Sequence, residues 1–225
     1  MKKLLLLTDE TEASQQAYAY SQALCASLRL LCEHHPLTPY TKDRDVAQLA
    51  LQQEADLIVM GIPPVRGLAH PFTDLDRVRL LARAPRPMLL IPPSARFAAL
   101  KHIVYATNFQ EDDWRIPPTL EALARLSGAR ITCVHINPVG AHPRHPVMQE
   151  VFRSQLEPGN IFFYVIRHKD PLQGLQLFTD AYHPDMLAVM PARRSLAAWL
   201  LKPNLTRALA RRTQIPLLSV QTTIS

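Results

Sequence analysis

Two pairs of polar residues stand where a strand gives way to a helix, and they are the positions from which this chain could do chemistry. LLLLTDE from Leu4 ends in Thr8-Asp9, and HIVYATNFQEDD from His102 contains Thr107-Asn108 ahead of an acidic stretch. Side-chain oxygens at such a mouth cap the helix that follows, and the same oxygens suit hydrogen bonds to a polar ligand. Gly61, at the end of DLIVMG, adds a backbone site without a Cβ. Arg193 and Arg194, after DMLAVMPA, add positive charge. Turn and helix capping is the reading we prefer for Asp9 and Asn108.

Other reactive groups carry less. His142 and His145 lie in AHPRHPV, and His34-His35 end a strand. Neither pair has a Cys or carboxylate at metal-ligand spacing, so both read as solvated loop histidines and no metal is expected. G-x-S-x-G, Ser-x-x-Lys, HExxH and Cys-His arrangements are missing, and the chain reads as a non-enzyme. Three cysteines, Cys25, Cys32 and Cys133, form no CxxC and read as small buried hydrophobes. Arg193, Arg194, Lys202, Arg207, Arg211 and Arg212 form a basic stripe, yet no nucleic-acid motif accompanies it. A solvated helix face, with Leu205 and Leu209 packed inward, accounts for it, and nucleic acid is not an expected partner.

The elements that must position these residues come in two passes. DLIVMGIPP begins at Asp56 and DMLAVMPAR at Asp185, and Met190 and Pro216 stand at the same separation as Gly61 and Pro87. The matching upstream strands are those ending at Thr8 and Thr107. A second, complete unit then reads as strand 102–107, helix 118–127 between Pro117-Pro118 and Gly128, and strand ARITCVHI. A helix over 146–157, strand NIFFYVIRH, helix DPLQGLQLFTDAYH, strand MLAVM, a helix over 204–212 and strand PLLSV follow. The first unit is shorter, with strand 3–8, helix 12–27, strand 29–34, a helix in DRDVAQLALQQEA and strand DLIVM. It has no counterpart of 146–167, so it should lack an edge strand. We place the units at 1–93 and 100–225, joined by the proline-stiffened PPSARFAA. Alternating strands and helices predict an α/β fold of two doubly wound, mostly parallel sheets, the first truncated.

The opening MKKLLLL stops being apolar at Thr8, too early for a signal sequence, and no segment reaches the ~20 apolar residues of a membrane span. A cytoplasmic, soluble protein is expected. Net charge is +6, and 20 prolines stand against 6 glycines, which leaves little glycine for phosphate cradles.

LLLLTDETEAS at 4–14, EADLIVMG at 54–61, APRPMLLI at 84–91 and TQIPLLSV at 213–220 resemble the universal stress protein family, in two passes along the chain. The resemblance implies five-stranded α/β units that pair, often through the final strand, so a protein partner or self-association through the terminal strands is expected. Nucleotide-binding members carry G-x2-G-x9-G-[ST] after the fourth strand. Here the pattern starts at Gly61 but continues on Pro64, Asp74 and Leu75, and the second unit has Met190, Arg193, Pro203 and Asn204. Pro64 has no N–H to donate, and Asp74 would oppose a polyphosphate by about 1 kcal/mol or more per charge pair. Gly67 stands outside the strict spacing as a partial substitute. The resemblance also aligns Asp9, and Asn108 in its place, with an acidic residue that faces the nucleotide. Asp9, Gly61, Gly67, Asn108 and Arg193 thus form a vestigial pocket. No cofactor is expected, ATP being disfavoured, with an atypical ATP site as the alternative.

Overall fold

The computed structural model describes residues 1–38, 41–62, 80, 84–107, 116–137, 160–190 and 215–220. Among the described residues, nine strands form one sheet. They are β1 (Lys3–Thr8), β2 (Leu31–Pro36), β3 (Leu57–Gly61), β4 (Met88–Ile91), β5 (His102–Ala106), β6 (Arg130–Asn137), β7 (Ile161–Arg167), β8 (Met186–Val189) and β9 (Leu217–Ser219). The described helices are α1 (Glu12–Leu28), α2 (Asp43–Gln52), α3 (Pro118–Ser127) and α4 (Pro171–Tyr182).

Local chemistry sets these bounds. Thr11 caps α1, its side chain accepting from the Ser14 N–H at 3.2 Å. Pro118 at the first turn and Gly128 at φ 71° bracket α3, as the sequence predicts. Asp170 caps α4 by accepting from Leu172 N–H at 2.9 Å, ahead of Pro171. One boundary differs from expectation. The sequence predicts strand two from residue 29, but Arg29 adopts the left-handed conformation (φ 56°) that ends α1, so β2 begins at Leu31. His34 and His35 are consequently strand residues, not loop residues.

Strand order is β2-β1-β3-β4-β9-β8-β5-β6-β7. All described pairings are parallel except β4 with β9, where Met88 faces Ser219, Leu89 faces Leu218 and Leu90 faces Leu217. The two terminal strands expected at a seam therefore pair with each other inside the chain. Each already has a parallel neighbour on its other side, β3 and β8 respectively. Neither β4 nor β9 has an edge left for another molecule. The strand expected near 161–166 is present as β7 and lies at one end of the sheet, with β2 at the other.

Side chains alternate between two apolar layers, as strands buried on both faces require. Leu4, Leu6, Leu57, Val59, Ile103 and Tyr105 pack with α1 and α3. Leu5, Leu7, Ile58, Met60, Val104 and Leu187 pack with α2 and α4. This is a doubly wound sheet with helices on both faces. Cys25 and Cys133 are buried, and Cys32 is half-buried.

Candidate functional site

In sheets of this kind the helices after two neighbouring strands leave in opposite directions, and ligands bind in the crevice beyond the carboxyl ends of those strands. One such point lies between β1 and β3, because the chain runs from β1 to β2 on one side and returns to β3 on the other. Its mouth is built by Thr8-Asp9, the first turn of α1, and Gly61-Ile62.

The first turn of α1 is held by a dense set of local bonds. Asp9 Oδ1 accepts from Thr11 N–H (3.1 Å), from the Ser14 hydroxyl (2.6 Å) and from the Thr11 hydroxyl. The Asp9 N–H in turn donates to Ser14 Oγ at 2.9 Å. The carboxylate thus fixes the turn between strand and helix, the capping role that its residue type suggests. Gly61 lies against the same turn. A Cβ there would lie 2.6 Å from the Ala13 carbonyl carbon and 3.1 Å from the Ser14 nitrogen. So the glycine serves close approach of β3 to α1, and Asp9 and Gly61 grip one turn from two sides.

Thr8 and His34, which the sequence offers only separately, meet at the rim together with Tyr18. Thr8 Oγ1 and His34 Nε2 lie 2.5 Å apart, and the Tyr18 ring meets His34 edge-on at 5.7 Å. This link joins the ends of β1 and β2, and only their spatial adjacency reveals it. The second crevice lies between β5 and β8. There Thr107 and His135 are buried, with His135 Nδ1 bonded to the Thr107 carbonyl at 2.9 Å. Met190, which the sequence aligns with Gly61, is buried too. Gly67, Asn108 and Arg193 lie outside the described residues, as do Pro64, Asp74, Leu75, Pro203 and Asn204 and the helices expected over 146–157 and 204–212.

At the opposite ends of the strands, two aspartates do the same work. Asp56 Oδ2 accepts from Lys2 N–H (2.6 Å) and Lys3 N–H (3.0 Å) at the start of β1. Asp185 Oδ2 accepts from Lys101 N–H and His102 N–H, both at 2.8 Å, at the start of β5. Partial burial raises the Asp56 carboxyl, but the two backbone donors and nearby positive charge outweigh it and leave its pKa below the ordinary value. His102 is lowered, first by burial and then by Arg130, against the opposing charge of Asp185. Its Nε2 meets Thr132 Oγ1 at 2.9 Å. Among the described residues no three His, Cys, Asp or Glu side chains gather as a metal site. No described helix is long and apolar enough to cross a membrane.

Comparison with solved structures identifies the fold. A universal stress protein from Archaeoglobus fulgidus DSM 4304 superposes with a TM-score of 0.67 at 12% identity, covering 98% of each chain. A functionally unknown protein from Pseudomonas aeruginosa PAO1 gives 0.57 at 15% identity, over 98% of this chain and 82% of that one. A provisional universal stress protein from Pseudomonas aeruginosa UCBPP-PA14 gives 0.56 at 15% identity, over 97% and 82%. No family model and no curated protein matches the chain. The chain has the α/β fold of universal stress proteins, with a mostly parallel nine-stranded sheet.

Proposed function

We propose that the chain is a tandem universal stress protein that works by binding, not catalysis, with its two units joined as a pseudo-dimer within one polypeptide. The antiparallel pairing of β4 with β9 is the observation that carries this reading. On either side of that seam the parts correspond. β1 and β5 are central strands, α1 and α3 share one face, α2 and α4 share the other, and Asp56 and Asp185 pin matching strand starts.

The reading also disfavours a nucleotide cofactor. A phosphate cradle needs open backbone N–H groups at a helix start. Here the Thr11 N–H serves Asp9, the Ser14 N–H serves Thr11, and Ala13 backbone fills the space over Gly61. The motif positions further on hold Pro64, Asp74 and Leu75 in place of glycines and a hydroxyl. The second reading is an ATP-binding universal stress protein with an atypical phosphate site. Its support is that Asp9, Gly61 and the α1 N-terminus meet at a switch-point crevice.

Calorimetric titration with Mg-ATP separates the two. The binding reading expects a Kd no tighter than about 100 µM and no turnover. Low-micromolar binding by the wild type would overturn it. A Pro64→Gly, Asp74→Gly, Leu75→Ser triple variant should bind more tightly than the wild type, and any single reversion should recover little, since the three act on one phosphate group. A protein partner remains part of this reading, and it must engage a surface other than β4 and β9.

A further inference from the structure

The antiparallel seam places the carboxyl end of β4 beside the amino end of β9. The segment after β4 and the residues leading into β8 and β9 therefore meet on one side of the sheet, where Tyr20 of α1 reaches them. Together they surround a cavity of about 160 Å³, lined among others by Tyr20, Arg96, Phe97, Asp185, Ile215 and Pro216. It is formed by both halves of the chain and does not include the crevice residues Asp9 and Gly61.

Three polar groups on its wall are short of partners. Asp185 uses Oδ2 for the Lys101 and His102 N–H groups, and its Oδ1 makes no hydrogen bond among the described residues. Tyr20 is 3% exposed, packs edge-on against Phe97 at 5.3 Å, and carries a hydroxyl without a hydrogen-bond partner among the described residues. Burial and the Asp185 charge raise the pKa of that hydroxyl and keep it protonated. Arg96 donates through Nη1 to the Pro93 and Ala95 carbonyls, both at 3.0 Å, and pairs with no carboxylate among the described residues. Asp185 and Arg96 thus line one cavity without forming an ion pair with each other.

That arrangement selects by charge. An anion alone would meet Asp185, a cation alone would meet Arg96, and a hydrocarbon would leave Asp185 and the Tyr20 hydroxyl buried without partners. The volume holds roughly five waters at about 30 Å³ each, the size of a small organic molecule. We infer that the cavity binds a small zwitterion of the α-amino-acid class, its ammonium at Asp185 Oδ1 and the Tyr20 oxygen, its carboxylate at Arg96, and a short aliphatic group against Phe97 and Ile215. Such a ligand bridges the two halves across the seam.

The test is an NMR titration of the intact protein with L-alanine and L-valine, against propylamine and propionate as single-charge controls. We expect saturable shifts around Tyr20 and Phe97 with a Kd near 1 mM for an amino acid, and binding at least about 5-fold weaker for either control. Tyr20→Phe should weaken binding about 5-fold and Arg96→Gln about 10-fold. Arg96 is exposed, so its variant keeps the test valid should Tyr20→Phe fail to fold. Absence of saturation by about 50 mM, propylamine binding as tightly as valine, or unchanged affinity in Arg96→Gln would each overturn the proposal.

Discussion

Gly61 and Ala13 touch backbone to backbone, so that any Cβ on Gly61 would lie 2.6 Å from the Ala13 carbonyl carbon. Neither side can yield cheaply, since β3 is fully buried and α1 is anchored by its capped first turn. Gly61→Ala should lower stability by about 1–3 kcal/mol through overpacking. Urea unfolding checks this, with Gly128→Ala as the contrast. Gly128 has nothing within 4 Å of an added Cβ, so its cost should be confined to its φ of 71°, about 1 kcal/mol. Equal losses at both positions would remove the packing argument.

Much of this fold was legible because local rules and tertiary context agree. Pro117, Pro118 and Gly128 mark α3 with no help from the rest of the chain, and DMLAVM can be little but a buried strand. Arg29 shows where legibility fails. Nothing in its residue type announces a left-handed cap, so the sequence pattern starts strand two two residues early. The candidate site divides the same way. Asp9 announces itself as a turn residue by type and place, but its grip on Ser14 and the seating of Gly61 on Ala13 depend on how β3 meets α1. The same is true of Thr8 with His34, and of Tyr20 with Asp185.

Asp56 and Asp185 each satisfy two N–H groups at the start of a central strand. Removing either carboxylate leaves those donors to water or to nothing. Asp56→Ala and Asp185→Ala should each cost about 1–3 kcal/mol, and the Asn variants less, because an amide oxygen still accepts. The Asp56 pKa is lowered in the fold, so its stabilisation is present above the ordinary Asp pKa and is lost as pH falls through the folded value. The acid limb of a stability–pH curve should therefore flatten in Asp56→Asn. An unchanged limb would place the acid sensitivity elsewhere.

His102 is expected to act at milder pH. Burial and Arg130 favour its neutral form in the fold, with Asp185 opposing and Thr132 bonded to Nε2. Below the ordinary histidine pKa of about 6.5, the unfolded chain then binds more protons than the native one, so stability falls as pH drops through this range. The loss levels off once the folded pKa is passed. His102→Gln should shrink the difference between urea midpoints at about pH 7.5 and pH 5.5. A slope as steep in the variant as in the wild type would assign it to another group.

The seam supports the last expectation, that the two halves unfold as one cooperative unit. Leu89 and Leu218 face each other across the antiparallel pair and are both fully buried. They belong to the same apolar layer as Leu4 and Leu6 of the first half and Ile103 and Tyr105 of the second, so no solvated surface divides the halves there. Leu218→Ala should cost about 2–5 kcal/mol, with the removed methyl groups and the cavity they leave both contributing. If the seam couples the halves, that loss must reach amides of β1 in the first half as well as β5 in the second. Native-state hydrogen exchange reads this directly, since globally protected amides lose protection in step with ΔG. Faster exchange in β5 with β1 unchanged would mean that the halves open independently, and the proposed pseudo-dimer would then be two folds sharing a strand pair. Leu218→Pro provides a stronger perturbation, because it adds the loss of a backbone donor and a φ restriction within the strand.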